Sequence, residues 1–209
     1  MQPKPQLHYF LTLRKTCFPT TAFPQANKFC YTIRKPMKSN VLEMVDVIDE
    51  DNNILFSIEK QKAHEKGLLH RTILAQLINS KGEWILVKQA SDRQDAGRYV
   101  SPVGGHIRAG ESEIGALRRE TLEELGLKTF THKFIGRGIF NRRVLGRKEN
   151  HYFILYEIYS DKKLKPGAEV ESFKSFSKEE IKELLKDNPG LFGKAFHFAI
   201  KTFHPHLLK

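Results

Sequence analysis

"GGHIRAGESEIGALRRETLEELGL", residues 104–127, decides how the rest of the chain is read. Ser112 suits the cap of a helix whose apolar positions Ile114, Leu117, Thr121, Leu122 and Leu125 recur at helical spacing, and Gly126 stands where a glycine closes such a helix. On that helix Glu120, Glu123 and Glu124 fall at i, i+3 and i+4 and share one face, where like charges weaken a helix by roughly 0.2–0.5 kcal/mol per pair. A positive partner is expected beside them. Arg118 and Arg119 could supply it through surface ion pairs worth about 0–1 kcal/mol. The alternative is a divalent cation, since magnesium prefers oxygen ligands and takes a few carboxylates together with substrate phosphate oxygens. Gly104 and Gly105 permit a tight loop ahead of the helix, and Arg119 can pair with Glu111 and hold that loop in place.

On the N-terminal side, "LEMVDVIDEDNNILFSIEK" (42–60) alternates apolar and polar residues about a turn-like centre, as a β-hairpin does. "HRTILAQLINSKGEWILVKQA" (70–90) repeats the scheme with "NSKG" at the turn, which predicts strands near 71–78 and 84–89. "YVSPV" (99–103) reads as one short strand. On the C-terminal side, strands are expected at 132–141, 150–159 and 169–176, the second apolar enough to be central. Ser177 and Glu180 form a capping-box start to an amphipathic helix, and Phe192, Phe196, Ala199 and Phe203 make a stripe suited to a core. Strands around one central helix, with helices at the end, predict an α+β fold with a mixed sheet.

A chain of 209 residues that is 40% hydrophobic can bury one substantial core. Its apolar runs fall short of the roughly 20 residues that a membrane-spanning helix requires, so no membrane partner is expected. Cys17 and Cys30 lie outside any metal-knuckle spacing, which suits a reducing, cytoplasmic setting. Of a formal charge of +11, seven units fall within residues 1–42, which hold no acidic residue; +11 less seven leaves +4 for the rest. This basic arm reads as an upstream extension, an organelle-targeting sequence or a segment that touches nucleic acid. Residues 1–40 are therefore set apart from a folded domain over 41–209.

Gly105, five residues, Glu111, seven residues, Arg119-Glu120, two residues, Glu123-Glu124, one residue, Gly126-Leu127 resembles the signature of the Nudix hydrolase superfamily, and the likeness extends over about residues 42–190. Thr121 departs from the apolar residue usual at its position, though its methyl can still pack. The resemblance implies a Nudix-type α/β/α sandwich with a mixed central sheet. It also implies Mg²⁺ or Mn²⁺ on Glu120, Glu123 and Glu124, Arg119 and Glu111 as organisers, and Glu120 or Glu124 as a base. The reaction it implies is hydrolysis of a nucleoside diphosphate derivative or another organic diphosphate, a small-molecule substrate rather than a nucleic acid.

His64, His70 and His106, six residues apart and then directly after the glycine pair, would suit a transition-metal site of imidazole and carboxylate ligands. Residues 43–160 resemble the isopentenyl-diphosphate-isomerase-like branch of the superfamily, which implies a second divalent metal on these histidines and on later carboxylates, here Glu149. Two departures bear on the reaction. Gly104 stands where the isomerase carries a catalytic cysteine, and His151 stands where it carries a catalytic carboxylate. Whether His64, His70, His106, Glu149 and His151 hold metal or frame the pocket is left open by the sequence. Hydrolysis is the leading expectation; isomerisation and non-catalytic binding of a nucleotide or nucleic acid are the alternatives. Lys88, Arg93, Arg98, Arg108, Arg137, Arg142 and Arg143 are candidates to face a phosphorylated substrate, and segments 90–99 and 140–149 to select it.

Overall fold

The structure, a computed structural model, describes residues 42–91, 94–144, 146–165 and 170–208. The basic arm, both cysteines and Arg93 lie outside the described residues. Among those described, no helix is long and apolar enough to cross a membrane.

β1 (Met44–Ile48) and β2 (Ile54–Glu59) form the expected hairpin, its turn held by the Asp49 carboxylate, which accepts from the amides of Asp51 and Asn53. A helix that the sequence reading did not anticipate, α1 (Lys60–Lys66), follows at once. Its seven residues are too few to display a 3.6-residue period, and only Ala63 and His64 are buried. Gly67, at φ +66°, closes it in the left-handed region where a glycine is favoured.

β3 (His70–Ile78) and β4 (Trp84–Gln89) occupy the expected strands, but they pair only at Leu77↔Ile85 and Ile78↔Trp84. They part because each finds longer partners. β3 takes β8 (Arg147–Tyr159) in parallel along its whole length, while β4 pairs with β9 (Val170–Phe176). The segment expected as one strand at 99–103 is split into β5 (Tyr99–Val100), on β4, and β6 (Val103–His106), on β3. Pro102 at the break has no amide to donate to a ladder. β7 (Thr131–Val144) pairs antiparallel with β8, so β8 is central, as its apolar run predicts. The result is a mixed nine-stranded sheet.

α2 (Glu113–Leu125) is capped by Ser112, whose Oγ accepts from the Gly115 amide at 3.1 Å, and is ended by left-handed Gly126. Its buried residues differ from the expected stripe at two places: Ala116 is buried and Ile114 only half-buried, and Leu122 is 44% exposed whereas Glu120 is 6% exposed. Strand alternation then builds the layers. Ile73, Ala75 and Leu77 of β3 and Ile154, Tyr156 and Ile158 of β8 pack with Ala116, Leu117 and Leu125 of α2. Leu74, Phe153 and Leu155 face the other way, onto Ala199 of α4 (Lys194–Phe203). α3 (Lys178–Asp187), with the expected Ser177–Glu180 capping box, joins α4 over β4 and β9, where Trp84, Phe176, Phe192 and Phe196 are buried. This is the α/β/α sandwich that the sequence reading expected.

Candidate active site

One cavity of about 590 Å³ gathers most of the residues singled out in the sequence. Glu120, Glu123, Glu124 and Arg119 of α2 line it, as do Gly104, Gly105 and His106 of β6, His64 of α1, and Glu149 and His151 of β8. Arg108 and Arg142 also reach it. Among the described residues, the other proposed substrate-facing cations do not line it. Lys88 pairs with Glu171, Arg137 with Glu113, Arg98 leans on Asp95, and Arg143 borders a separate, smaller cavity. Gln94 and Asp95, within the segment 90–99 expected to select substrate, also line the main cavity, as do Glu43 and Lys60, which belong to no spaced motif and so gave no signal in the sequence.

The α2 end of the site is organised by Arg119. Its Nε donates to Glu111 Oε1 at 2.9 Å and its Nη2 to Glu111 Oε2 at 2.8 Å, a planar two-point pairing that lysine cannot reproduce. Nη2 also donates to the His106 carbonyl at 2.9 Å, and Nη1 donates to Glu120 Oε1 at 2.5 Å. The loop before α2, the end of β6 and the first carboxylate are thus fixed by one guanidinium. Burial alone would raise the Glu111 carboxyl, but Arg119 and the Arg108 amide outweigh it and hold it below the ordinary value. At Glu120 the balance is reversed: burial pushes the carboxyl up, despite Arg119. Glu123 is half exposed, with Arg119 Nη1 at 3.7 Å. Gly105 is required by this packing, because a Cβ there would lie 1.9 Å from Glu120 Cδ.

The histidine end is set by register. His70 lies opposite His151 across the parallel β3–β8 pair, and Thr72 lies opposite His106 across β3–β6, so the three rings emerge on one face of the sheet. α1 lays His64 over them. Each residue of the group His64, His70, His106 and His151 offers a ligand atom, and these atoms all lie within 4.8 Å of one another. His64 Nε2 and His106 Nε2 are 3.1 Å apart. Burial lowers His70 to about 4 and takes His106 and His151 well below the ordinary histidine value, so these three rings are neutral at pH 7 and keep a lone pair each. His70 Nδ1 donates to the Leu68 carbonyl at 2.7 Å, which leaves the lone pair on Nε2. That Nε2, like His151 Nε2, is buried without a hydrogen-bond partner, a cost of roughly 1–3 kcal/mol for each such group. A cation placed among the rings would remove this cost, so the residues fit a metal.

Glu149 reaches the same cavity, but its carboxylate is engaged by Arg142, whose Nε donates at 2.6 Å. Arg142 Nη1 also donates to Asp95 at 3.4 Å. Gln94, with its amide turned to suit these neighbours, accepts from Arg142 and donates to Glu149 Oε1 at 3.3 Å. The two segments expected to select substrate, 90–99 and 140–149, therefore meet at Arg142.

A glycine loop leading to a helix whose carboxylates face a cavity on a mixed sheet, with helices on both faces, defines the Nudix-type α/β/α hydrolase fold. Residues 68–194 match the NUDIX domain. The chain belongs to the Nudix family. An isopentenyl-diphosphate Δ-isomerase of Serratia proteamaculans is 36% identical over 85 residues, which span 40% of this chain and 48%, about half, of that protein. An uncharacterised Nudix hydrolase of Clostridium acetobutylicum is 29% identical over 150 residues, covering 69% of each. Among solved structures, a Deinococcus radiodurans protein superposes with a TM-score of 0.62 at 16% identity, over 76% of this chain and 98% of that one. A MutT protein of Methanosarcina mazei gives 0.54 at 22% identity, over 68% and 96%. At these identities the structural likenesses speak to the fold.

Proposed function

We propose that the chain is a metal-dependent hydrolase that cleaves a diphosphate linkage in a nucleoside diphosphate derivative or another organic diphosphate. The observation that carries this reading is the convergence of Glu120, Glu123 and Glu124 on one cavity beside the Arg119–Glu111 brace. Those three carboxylates would hold Mg²⁺ or Mn²⁺, which supplies charge neutralisation for a diphosphate and activation of a water. Arg119 and Glu111 keep the carboxylates and the Gly105 loop in register. Glu120, its carboxyl raised by burial, and Glu124 are the candidates to accept the proton of that water. Lys60 and Arg108 on the cavity wall are placed to attract phosphate oxygens. At the other end, His64, His70, His106 and His151 would hold a second divalent ion; the orphaned Nε2 atoms of His70 and His151 support this.

The test is phosphate release with Mg²⁺ and with Mn²⁺ across nucleoside, sugar, dinucleotide and isoprenoid diphosphates. One class is expected to turn over, and Glu123→Gln is expected to abolish that turnover while the melting profile is kept. A Glu123→Gln chain with full activity would sink the proposal.

Isomerisation of isopentenyl diphosphate is the second reading, favoured by the names of several relatives. Gly104 and His151, which offer neither a thiol nor a carboxylate, weigh against it. Allylic product from isopentenyl diphosphate at high enzyme concentration would reinstate it. We further assign 41–209 as the Nudix domain, the cytoplasm as its setting and small molecules rather than nucleic acid as its ligands. Nucleic-acid affinity of the full chain that fell steeply with salt and was lost on removal of residues 1–40 would overturn the last assignment.

A further inference from the structure

We infer that the four-histidine cluster is a closed, tetrahedral metal site that braces the fold and takes no part in the reaction. The inference rests on the reading above that the cluster holds a divalent ion. Its basis is the shape of the cluster. The six ring-centre separations among His64, His70, His106 and His151 all lie between 4.9 and 5.4 Å. Four points with six nearly equal separations are the corners of a near-regular tetrahedron; a square would make two of the six about 1.4 times longer, and structural zinc sites are the tetrahedral kind. The centre of a tetrahedron with this edge lies about 3.1 Å from each corner. A metal–imidazole bond of about 2.0–2.1 Å plus about 1.1 Å from nitrogen to ring centre gives the same distance. His64 Nε2 and His106 Nε2 lie 3.1 Å apart and the four ligand atoms lie within 4.8 Å of one another, against roughly 3.4 Å between two ligands of such an ion, so binding would draw the more distant rings inward.

The chain also withholds a fifth ligand. Glu149 shares a strand face with His151, yet its carboxylate is taken by Arg142 at 2.6 Å and by Gln94. Arg142 is thus a positioning residue: it keeps the donor set all nitrogen, which suits zinc or another first-row transition ion and not magnesium. Structural sites of this kind are filled by four protein ligands, whereas catalytic ones keep a position open. The ligands come from α1, the start of β3, the end of β6 and β8, so one ion would tie together elements far apart in sequence.

Cobalt(II) serves as the probe, titrated into the metal-stripped full chain carrying Glu123→Gln and Glu124→Gln so that the α2 carboxylates do not compete. One equivalent is expected to bind with the intense visible absorption of four-coordinate cobalt. Arg142→Ala is expected to weaken that band as Glu149 joins the ion, and Arg142→Ala with Glu149→Gln to restore it. With α2 intact, zinc at a thousand times its dissociation constant is expected to raise the melting temperature by roughly 8–16 °C. In the same chain, kcat with Mg²⁺ is expected to be equal whether the cluster holds zinc or cobalt. A weak, six-coordinate spectrum, a band indifferent to Arg142, or a kcat that follows the cluster's ion would overturn the closed site while leaving a metal there. No cobalt bound would overturn the second-metal reading as well. The optical measurements need no turnover, so they stand apart from the fate of the hydrolase proposal.

Discussion

Gly104 and Gly105 are neighbours with opposite obligations. Gly105 faces α2, and any Cβ would enter the Glu120 carboxylate. Gly104 faces the other side, where a Cβ would meet nothing nearer than Leu74 Cδ1 at 3.7 Å, an ordinary contact. Gly105→Ala is therefore expected to displace Glu120 and lower Mg²⁺-dependent kcat/KM at least 100-fold, about 2.7 kcal/mol. Gly104→Ala is expected to leave the melting temperature within about 4 °C, a change of 1 kcal/mol or less. Thermal melts and steady-state assays on the two chains would check the contrast. It follows that packing at 104 would accept a Cβ, so close packing alone does not require glycine there. Thr121 is another residue where structure sharpens the sequence. Its methyl packs as expected, but it is fully buried and its hydroxyl has no partner. Thr121→Val keeps the shape and removes the orphan, so it is expected to be neutral or to stabilise by up to about 1 kcal/mol in denaturant unfolding.

α2 is the element whose signals in the sequence were most complete. Cap, apolar spacing and terminating glycine were all present, and the cap and the glycine are found in place. Ser112→Ala is expected to cost about 1 kcal/mol, the usual effect of losing a side-chain cap, with the melt as the measurement. What the sequence misjudged was the rotation of the helix: Glu120, not Leu122, faces inward, because Arg119 and Gly105 make room for a carboxylate. α1 was missed altogether. Its sequence, "KQKAHEK", carries no apolar period, and its placement depends on what it covers: Ala63 and His64 are buried beneath a surface that only the assembled sheet provides. Yet α1 brings His64 to the cluster.

Across the whole molecule, Asp46 shows how one buried charge joins distant parts. Its carboxylate accepts from Ser57 on β2 at 2.6 Å, from Arg71 on β3 at 3.0 Å and from the Gly110 amide ahead of α2 at 3.0 Å. Burial would raise its pKa, but these three partners prevail and hold it below the ordinary value. A depressed carboxylate contributes stability that is complete above the unfolded-state pKa, near 4, and is lost as pH falls through the lower folded value. Asp46→Asn is expected to destabilise by about 2 kcal/mol at pH 7, with the difference from the parent shrinking as pH drops below about 4; unfolding measured from pH 3 to 7 would reveal this. The same long-range logic governs what was legible at the start. The carboxylate helix, the glycine loop, the strands and the family could be read from the sequence because local periodicity, caps and fixed spacings act over a few residues. The four histidines were legible too, as candidates to hold metal or frame the pocket, though without a geometry. That His151 completes a tetrahedron, that Arg142 takes Glu149 aside, and that β3 and β4 part after two paired positions were decided by tertiary structure alone, since each depends on strand register between residues 81 to 92 apart, or on competition among partners that meet only in the folded chain.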